Sequence, residues 1–130
     1  MLYVVDTHAI VWYLEGAANL GKKALSALDD ESAKLIIPTI VLAEIKYLSN
    51  KQRIKLSLED IVAVIEQDER CVLFPLDANV TKLIPTELDI HDGIICGTAL
   101  VYNKLLKENA EVITKDEIII KSGLVTTIWD

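Results

Sequence analysis

Four acidic residues interrupt runs of the sequence that are otherwise apolar. They are Asp6 in VVDTHAIVWYL, Glu44 in TIVLAEIKYL, Asp92 in LDIHDGIICGTAL and Asp116 in VITKD. Acids that converge in a protein interior repel one another and lose their hydration, so protons or a bound cation must compensate for them. These four carboxylates are therefore the candidate catalytic and metal-binding residues of the chain.

A divalent cation with oxygen ligands suits this set of side chains. Mg²⁺ and Mn²⁺ bind carboxylates and keep several waters. His8, His91 and two scattered cysteines lack the spacing of a zinc site. A bound Mg²⁺ or Mn²⁺ polarises a phosphate oxygen and lowers the pKa of an attached water, and two such ions can hold the attacking and leaving oxygens in line. The acids thus predict phosphoryl chemistry with one or two metal ions.

Each acid also has an ordinary structural interpretation. Asp6 directly follows an apolar run and can equally be a helix N-cap. Asp116 can end a strand or cap the short segment behind it, and Glu44 can be a solvated helix residue. Asp89 competes with Asp92 as a site residue, but its place before a helix favours a capping role. Taken one at a time, these residues leave the choice open.

Two other phosphate chemistries are disfavoured by the residues beside the acids. The pair His91 and Asp92 is typical of metal phosphohydrolases, but that arrangement needs further histidines that His8 alone cannot supply. An enzyme that forms an aspartyl-phosphate of the haloacid-dehalogenase type needs D-x-D after the first strand, and His8 occupies the second acid's position. We expect both histidines to be partly buried structural or hydrogen-bonding residues.

The apolar runs predict strands that alternate with helices. The β-branched runs predict strands at Leu2–Val5, Leu35–Ile37, Val72–Phe74, Val112–Ile113 and Val125–Trp129. Continuously apolar strands separated by helices are typical of an α/β fold whose parallel sheet is covered on both faces.

Several polar residues predict where helices begin. Thr39 is expected to N-cap one helix. Ser57 with Asp60 resembles a capping box for a second helix. Asp89 is expected to cap a third, which runs from Ile90 to Leu106.

A parallel sheet brings two of the acids to the same place. Asp6 and Asp116 each follow a predicted strand, and the carboxyl ends of parallel strands share one edge, where ligands of such sheets bind. The 130 residues suit one hydrophobic core, and no repeat, linker or low-complexity tract divides them. We expect a single domain over residues 1–130.

The charge balance bears on nucleic-acid binding. A net charge of −7 gives little general attraction for a phosphate backbone. Setting the four candidate ligands aside changes the net charge from −7 to −3, so more than half of the charge belongs to the candidate site. Residues 46–55 carry basic residues without an acid: Lys46, Lys51, Arg53 and Lys55. This segment can bind RNA, or it can be a solvated helix end.

Cysteine usage and hydropathy indicate the compartment. Cys71 and Cys96 lie inside apolar runs without a pairing pattern, which suits buried thiols in a reducing compartment. No apolar stretch reaches the roughly 18 residues of a membrane span, and Asp6 interrupts the first apolar segment before a signal-peptide core forms. We expect a cytoplasmic protein.

Taken together, four segments resemble the PIN-domain ribonucleases, most closely the VapC-type toxins of prokaryotic toxin–antitoxin pairs. The segments are VVDTHAIVWYL, the helix of Glu44, IHDGIICGTAL and VITKDEIIIKSGLVTTIW, and they span nearly the whole chain. Their order carries the resemblance. An acid and a hydroxyl follow strand one, a glutamate lies in the next strand's helix, an acid opens a long helix, and T-x-D follows a later strand.

The resemblance implies a site, a fold and partners. The catalytic and metal-binding residues carried over are Asp6, Glu44, Asp92 and Asp116, with Thr7 and Thr114 as hydroxyls that support them. The implied fold is a three-layer α/β/α sandwich with a central parallel sheet of four to five strands. The implied activity is Mg²⁺- or Mn²⁺-dependent endonucleolytic cleavage of RNA by a metal-activated water. A homodimer and a cognate antitoxin that covers the site are also implied.

One departure and one alternative accompany this hypothesis. Gly93 stands where many relatives place an arginine after the His-Asp pair, which removes a candidate phosphate contact. The alternative function is a PIN-like module that binds RNA or protein without cleaving it. Only the nuclease hypothesis predicts a large loss of function when Asp6→Asn or Asp92→Asn removes a metal ligand.

Overall fold

The five strands of this computed structural model form one parallel sheet, and the structure describes all of residues 1–130. The strands are β1 (Leu2–Val5), β2 (Lys34–Pro38), β3 (Cys71–Phe74), β4 (Ala110–Ile113) and β5 (Thr127–Ile128). Their order across the sheet is β3-β2-β1-β4-β5, and every neighbouring pair is parallel. The predicted parallel sheet is confirmed.

The burial of each strand follows its place in the sheet. All four residues of the central strand β1 are buried, as are the last four of β2, because helices cover both faces. The edge strand β3 is mostly half buried, which explains its weak sequence pattern. The predicted strand Val125–Trp129 was too long, since only Thr127 and Ile128 pair with β4.

Helices connect the strands on both sides of the sheet. They are α1 (Thr7–Glu15), α2 (Lys22–Asp29), α3 (Thr39–Asn50), α4 (Leu58–Gln67), α5 (Ala78–Lys82), α6 (Ile90–Leu100) and α7 (Glu117–Ser122). The short helices α2 and α5 are absent from the predicted elements. None of the helices combines the length and the apolar character that crossing a membrane requires.

Two of the three predicted caps are confirmed. Ser57 accepts a hydrogen bond from the N–H of Asp60 at 3.1 Å, and Asp89 accepts one from the N–H of Asp92 at 3.0 Å. The prediction for Thr39 was wrong, because Thr39 is the first residue of α3 and makes no side-chain cap. Pro38 ends β2 and occupies the N-cap position, where its restricted φ directs the chain into the helix.

The predicted helix from Ile90 to Leu106 is helical but not uniformly α. A π-helical turn, Val101–Leu105, continues α6, and the N–H of Leu106 donates to the carbonyl of Val101 at 3.1 Å. Within this turn, Asn103 Oδ1 accepts a hydrogen bond from the N–H of Ala110 at 2.8 Å. The end of the helix is thereby tied to the first residue of β4.

The helices form two layers around the sheet. The connections β1 to β2 and β2 to β3 run one way along the sheet, whereas β3 to β4 and β4 to β5 run the other way. Right-handed connections therefore place α1–α4 on one face and α5–α7 on the other. In agreement, α3 packs against α1 and α4, and α5 packs against α6. The predicted three-layer α/β/α sandwich is confirmed.

A cluster of 27 buried hydrophobic residues joins the sheet to both layers of helices. Cys96 belongs to this cluster and Cys71 packs partly buried against it, and both are free thiols. The direction of the connections reverses between the central strands β1 and β4. In open α/β sheets a crevice forms at this point, beyond the carboxyl ends of the strands, and ligands bind there.

Candidate functional site

A cavity of about 360 Å³ lies at the carboxyl ends of β1 and β4, where the strand connections reverse. Its lining contains the four acids predicted from the sequence: Asp6, Glu44, Asp92 and Asp116. The remaining lining residues are His8, Ala9, Asp89, His91, Lys115 and Ile118. The fold thus brings together five carboxylates. Two follow neighbouring strands, one lies on α3, and two lie at the N-cap and in the first turn of α6, in the opposite layer.

Asp6 is both a cap and a member of the acidic cluster. Its Oδ1 accepts the N–H of Thr7 at 2.7 Å, at the start of α1. Its Oδ2 accepts the hydroxyl of Thr114 at 2.7 Å, and the same hydroxyl accepts the N–H of Asp116 at 3.0 Å. Thr114, which is buried, therefore links the acid after β1 to the acid after β4.

Glu44 is held from two sides. Its Oε1 accepts the hydroxyl of Thr7 at 2.6 Å, and it lies 2.9 Å from Nε2 of His91. These hydrogen bonds, that of His91 foremost, hold the pKa of Glu44 down at about 2. Glu44 is consequently ionised over the whole physiological range, with Oε1 engaged and Oε2 left for another partner.

His91 supplies positive charge at the centre of the acids. Its Nε2 lies 3.7 Å from Oδ1 of Asp6, so the short hydrogen bond goes to Glu44 while Asp6 acts mainly through its charge. Asp6 and Glu44 together raise the pKa of His91 to about 10. The imidazole is therefore protonated at neutral pH, and it offsets part of the repulsion among the carboxylates.

Asp92 has surroundings that oppose its charge. It is buried in the first turn of α6, and this burial, with the negative charges of Asp116, Asp89 and Asp6, raises its pKa to about 6. The positive charge of His91 only partly opposes this rise. Repulsion within the cluster is therefore incompletely compensated by the protein itself.

The donor set fits a divalent cation that prefers oxygen. Five carboxylates line one cavity, Oε2 of Glu44 has no protein partner, and the raised pKa of Asp92 reports repulsion that a cation would relieve. No three side chains of the acidic, histidine or cysteine type yet converge as a preformed ligand group. Binding therefore requires side-chain adjustment within the cavity.

The basic segment predicted to contact RNA lies outside this cavity. Lys46 and Tyr47 line a separate groove of about 580 Å³ at the end of α3, together with residues at the start of α4. Lys51, Arg53 and Lys55 follow α3 and are exposed, and none of the four basic residues forms an ion pair. The structure does not bring them into contact with the acids.

Gly93 faces away from the cavity. A Cβ at this position would lie 2.9 Å from Cγ2 of Ile84 and 3.5 Å from the carbonyl oxygen of Pro85. The glycine thus permits α6 to pack closely against the segment that precedes it. Steric packing, rather than a lost phosphate contact, accounts for the absence of a side chain here.

Lys115 is the one charged lining residue that the sequence did not indicate. It lies between the two polar residues of T-x-D, and its Nζ lies 4.4 Å from the centroid of the Trp12 ring. The position within the motif was visible in the sequence, but no local signal connects Lys115 to Trp12, about a hundred residues earlier.

Comparisons with known proteins identify the family. The PIN domain family matches residues 3–122. The fold is similar to VapBC2 from Rickettsia felis, solved bound to a DNA fragment from their promoter, with a TM-score of 0.71 and 19% identity over 100% of both chains. It is also similar to VapBC-1 from nontypeable Haemophilus influenzae, with a TM-score of 0.64 and 17% identity over 98% of this chain and 97% of that one. No curated protein matches. Because the family match covers nearly the whole chain and includes the four acids predicted as site residues, this chain belongs to the PIN-domain family.

Proposed function

We propose that this protein is a metal-dependent endoribonuclease, the VapC-type toxin of a prokaryotic type II toxin–antitoxin pair. The observation that carries the proposal is the cavity in which Asp6, Glu44, Asp92 and Asp116 meet with their repulsion incompletely offset. Membership of the PIN-domain family and the similarity of the fold to two VapBC structures support it.

The four acids would hold Mg²⁺ or Mn²⁺ through carboxylate oxygens. When bound there, the cation supplies charge that polarises a phosphodiester oxygen and makes an attached water more acidic. The protein's part is to orient the ligands. Thr114 fixes Asp6 and the backbone of Asp116, while Thr7 and His91 hold Oε1 of Glu44. Hydrogen bonds of this kind set the direction of metal ligands and are costly to remove.

The proposed partner is an antitoxin protein that covers the cavity. Two large apolar side chains flank the acids and are exposed: Ile118, which lines the cavity, at 62%, and Ile90, beside His91, at 75%. A partner that covers the site would bury both, which supports this role. We also propose a homodimer, on the family resemblance, and a cytoplasmic location, where RNA substrates are found.

The test is cleavage of a mixed pool of structured RNAs by the purified protein. Reactions contain Mg²⁺, Mn²⁺ or a chelator, and they compare the wild type with Asp6→Asn and Asp92→Asn. Glu66→Gln, an exposed acid on α4, is the matched control and is purified identically, so that contaminating ribonucleases appear equally in all samples.

We expect metal-dependent cutting that Glu66→Gln retains and that both aspartate variants lose by a factor of about 100 or more. Cutting that persists unchanged in both variants, or in chelator, would contradict the proposal.

A binding module without nuclease activity is the second candidate. The observation that favours it is the absence of a preformed group of three metal ligands, with the ionised Glu44 already paired with His91. This candidate predicts that wild type and Asp92→Asn bind RNA or a partner protein equally and that neither cuts the pool with any metal. The same set of purified variants therefore separates the two functions.

A further inference from the structure

Lys115 is the only lysine or arginine among the residues that line the acidic cavity. It lies two residues after β4 and is exposed, and it forms no ion pair although five carboxylates share the cavity with it. His91, the other strong cation of the site, is committed to Glu44 and Asp6. Lys115 is thus the uncommitted positive charge at this cavity.

The ammonium of Lys115 lies over an aromatic ring and is not paired with a carboxylate. Its Nζ lies 4.4 Å from the centroid of the Trp12 ring, and Trp12 is itself packed by His8 at 5.3 Å and by Trp129 at 6.1 Å, centroid to centroid. A cation over the face of an indole is attracted by the ring but donates no hydrogen bond to an acceptor there. The donors of Lys115 consequently stay available to a ligand.

The proposed reaction needs a charge of this kind. An RNA strand that enters the cavity carries a phosphate at every nucleotide, and a cation held by the acids would compensate only the phosphate beside them. The adjacent phosphate approaches five carboxylates and needs a positive group beside them. Lys115 lies at the rim of the cavity, where such a phosphate would pass.

We propose that Lys115, positioned by Trp12, binds an RNA backbone phosphate next to the one that is cleaved. This inference rests on the proposed nuclease function and adds to it a phosphate contact and the aromatic group that positions it. Because the contact is the same in the ground state and in the transition state, Lys115 contributes to RNA affinity and not to the rate of bond cleavage.

Binding is measured first, on the full chain with Asp92→Asn as the background, so that RNA stays intact in the presence of Mg²⁺. Lys115→Met, Lys115→Arg and Lys121→Met are added singly. Lys121 is the matched control, since it is exposed on the neighbouring helix α7 and pairs there with Glu117 at 3.4 Å. The probe is a fluorescein-labelled pool of structured RNAs, followed by fluorescence anisotropy at several salt concentrations.

Lys115→Met is expected to raise the Kd for RNA by about threefold to tenfold at low salt. It should also reduce the slope of log K against log salt by about 0.7, the value of one phosphate contact to a single strand. Lys115→Arg should restore most of the affinity, and Lys121→Met should leave both quantities unchanged. In the chain with Asp92 intact, Lys115→Met should raise KM while kcat changes less than about twofold.

The possible failures are distinguishable. If the parent binds RNA and the active chain cleaves it, while Lys115→Met leaves Kd, salt slope and KM unchanged, this inference is wrong and the proposed function stands. If Lys115→Met alters the rise in Tm caused by Mg²⁺ but not RNA affinity, the lysine acts on the acids and the inference is also wrong. If the wild type neither binds nor cleaves the pool with any metal, both fall together.

Discussion

Asp92 illustrates at the scale of one residue how a site can oppose the stability of its own fold. Its carboxylate is buried among other acids, and its pKa of about 6 lies above the ordinary 3.8. At neutral pH the ionised carboxylate of Asp92 therefore costs more free energy in the folded chain than in the unfolded chain. Under the proposed function, the same negative charge would strengthen the binding of a cation.

Replacing Asp92 by asparagine is expected to stabilise the metal-free protein while abolishing cleavage. Removal of the disfavoured charge should raise the free energy of unfolding at pH 8 by about 1 to 2 kcal/mol. This value is smaller than the pKa shift alone would give, because solvent at the open cavity screens the charge. Thermal unfolding in chelator measures the change, with Glu66→Gln as control. A variant that unfolds at a lower temperature than the wild type would contradict this account of Asp92.

The same pKa predicts how cation binding depends on pH. Because the pKa of Asp92 is raised to about 6, Asp92 stays protonated in the folded state between about pH 4 and pH 6, where it is ionised in the unfolded state. The stability of the fold therefore falls as the pH rises from about 4 to about 6. Under the proposed function, a cation bound by Asp92 would compete with this proton. The pKa of His91, about 10, keeps that imidazole charged throughout.

We therefore expect the rise in Tm caused by Mg²⁺ to increase between pH 5 and pH 7 and to level off above about pH 7. Differential scanning fluorimetry in a pH series measures it. The Asp92→Asn variant should show little of this dependence. Equal shifts at pH 5 and pH 7 in the wild type would rule the interpretation out.

At the scale of elements, the hydroxyl of Thr114 joins the ends of β1 and β4. It donates to Asp6 and accepts from the N–H of Asp116. Thr114→Val keeps the shape but loses both hydrogen bonds, so we expect a loss of about 1 to 2 kcal/mol in unfolding free energy. Cleavage should fall by about tenfold or more because Asp6 is no longer oriented. Thr114→Ser, which keeps the hydroxyl, is the control, and equal behaviour of the two variants would refute this role.

The start of α2 depends on a close approach to the end of the chain. A Cβ on Gly21 would lie 2.2 Å from the carbonyl oxygen of Trp129, and that oxygen accepts the N–H of Ala24 at 2.8 Å. Gly21→Ala must push these segments apart, and we expect a loss of about 2 to 3 kcal/mol in unfolding free energy. Urea unfolding measures it. Ser26→Ala, on the exposed side of α2, should change little.

At the scale of the whole molecule, a net charge of −7 leaves RNA affinity dependent on local basic groups. Lys51, Arg53 and Lys55 form no ion pairs and lie in one exposed segment after α3. Changing all three to glutamine should weaken RNA binding and lower the slope of log K against log salt by about 2, from three phosphate contacts.

The control for this triple variant makes the same change of charge elsewhere. It replaces Lys22, Lys23 and Lys104, which are exposed and unpaired. Fluorescence anisotropy with the labelled RNA pool compares the two. If both triple variants weaken binding equally, net charge alone matters and the segment after α3 has no particular role.

The local pattern of the sequence determined the layers of this protein and the ends of several elements. Buried β-branched runs predicted the strands within a few residues, because burial on both faces of a parallel sheet requires them to be apolar throughout. Ser57 and Asp89 were predictable as caps, since a cap acts within its own turn. Asp6 and Asp116 were predictable neighbours because parallel strands end at one edge of a sheet.

Only the tertiary structure decided what each acid touches. Glu44 and His91 come from helices on opposite faces of the sheet, and Lys115 reaches Trp12 across the fold. Gly93 faces Ile84 and not the cavity because of the rotation of α6 about its axis. Such contacts depend on the rotation of each helix about its axis and on the conformations of long side chains after packing. The spacing of residues along a helix determines neither of these. The acids could therefore be found from the sequence, whereas the groups that hold them could not.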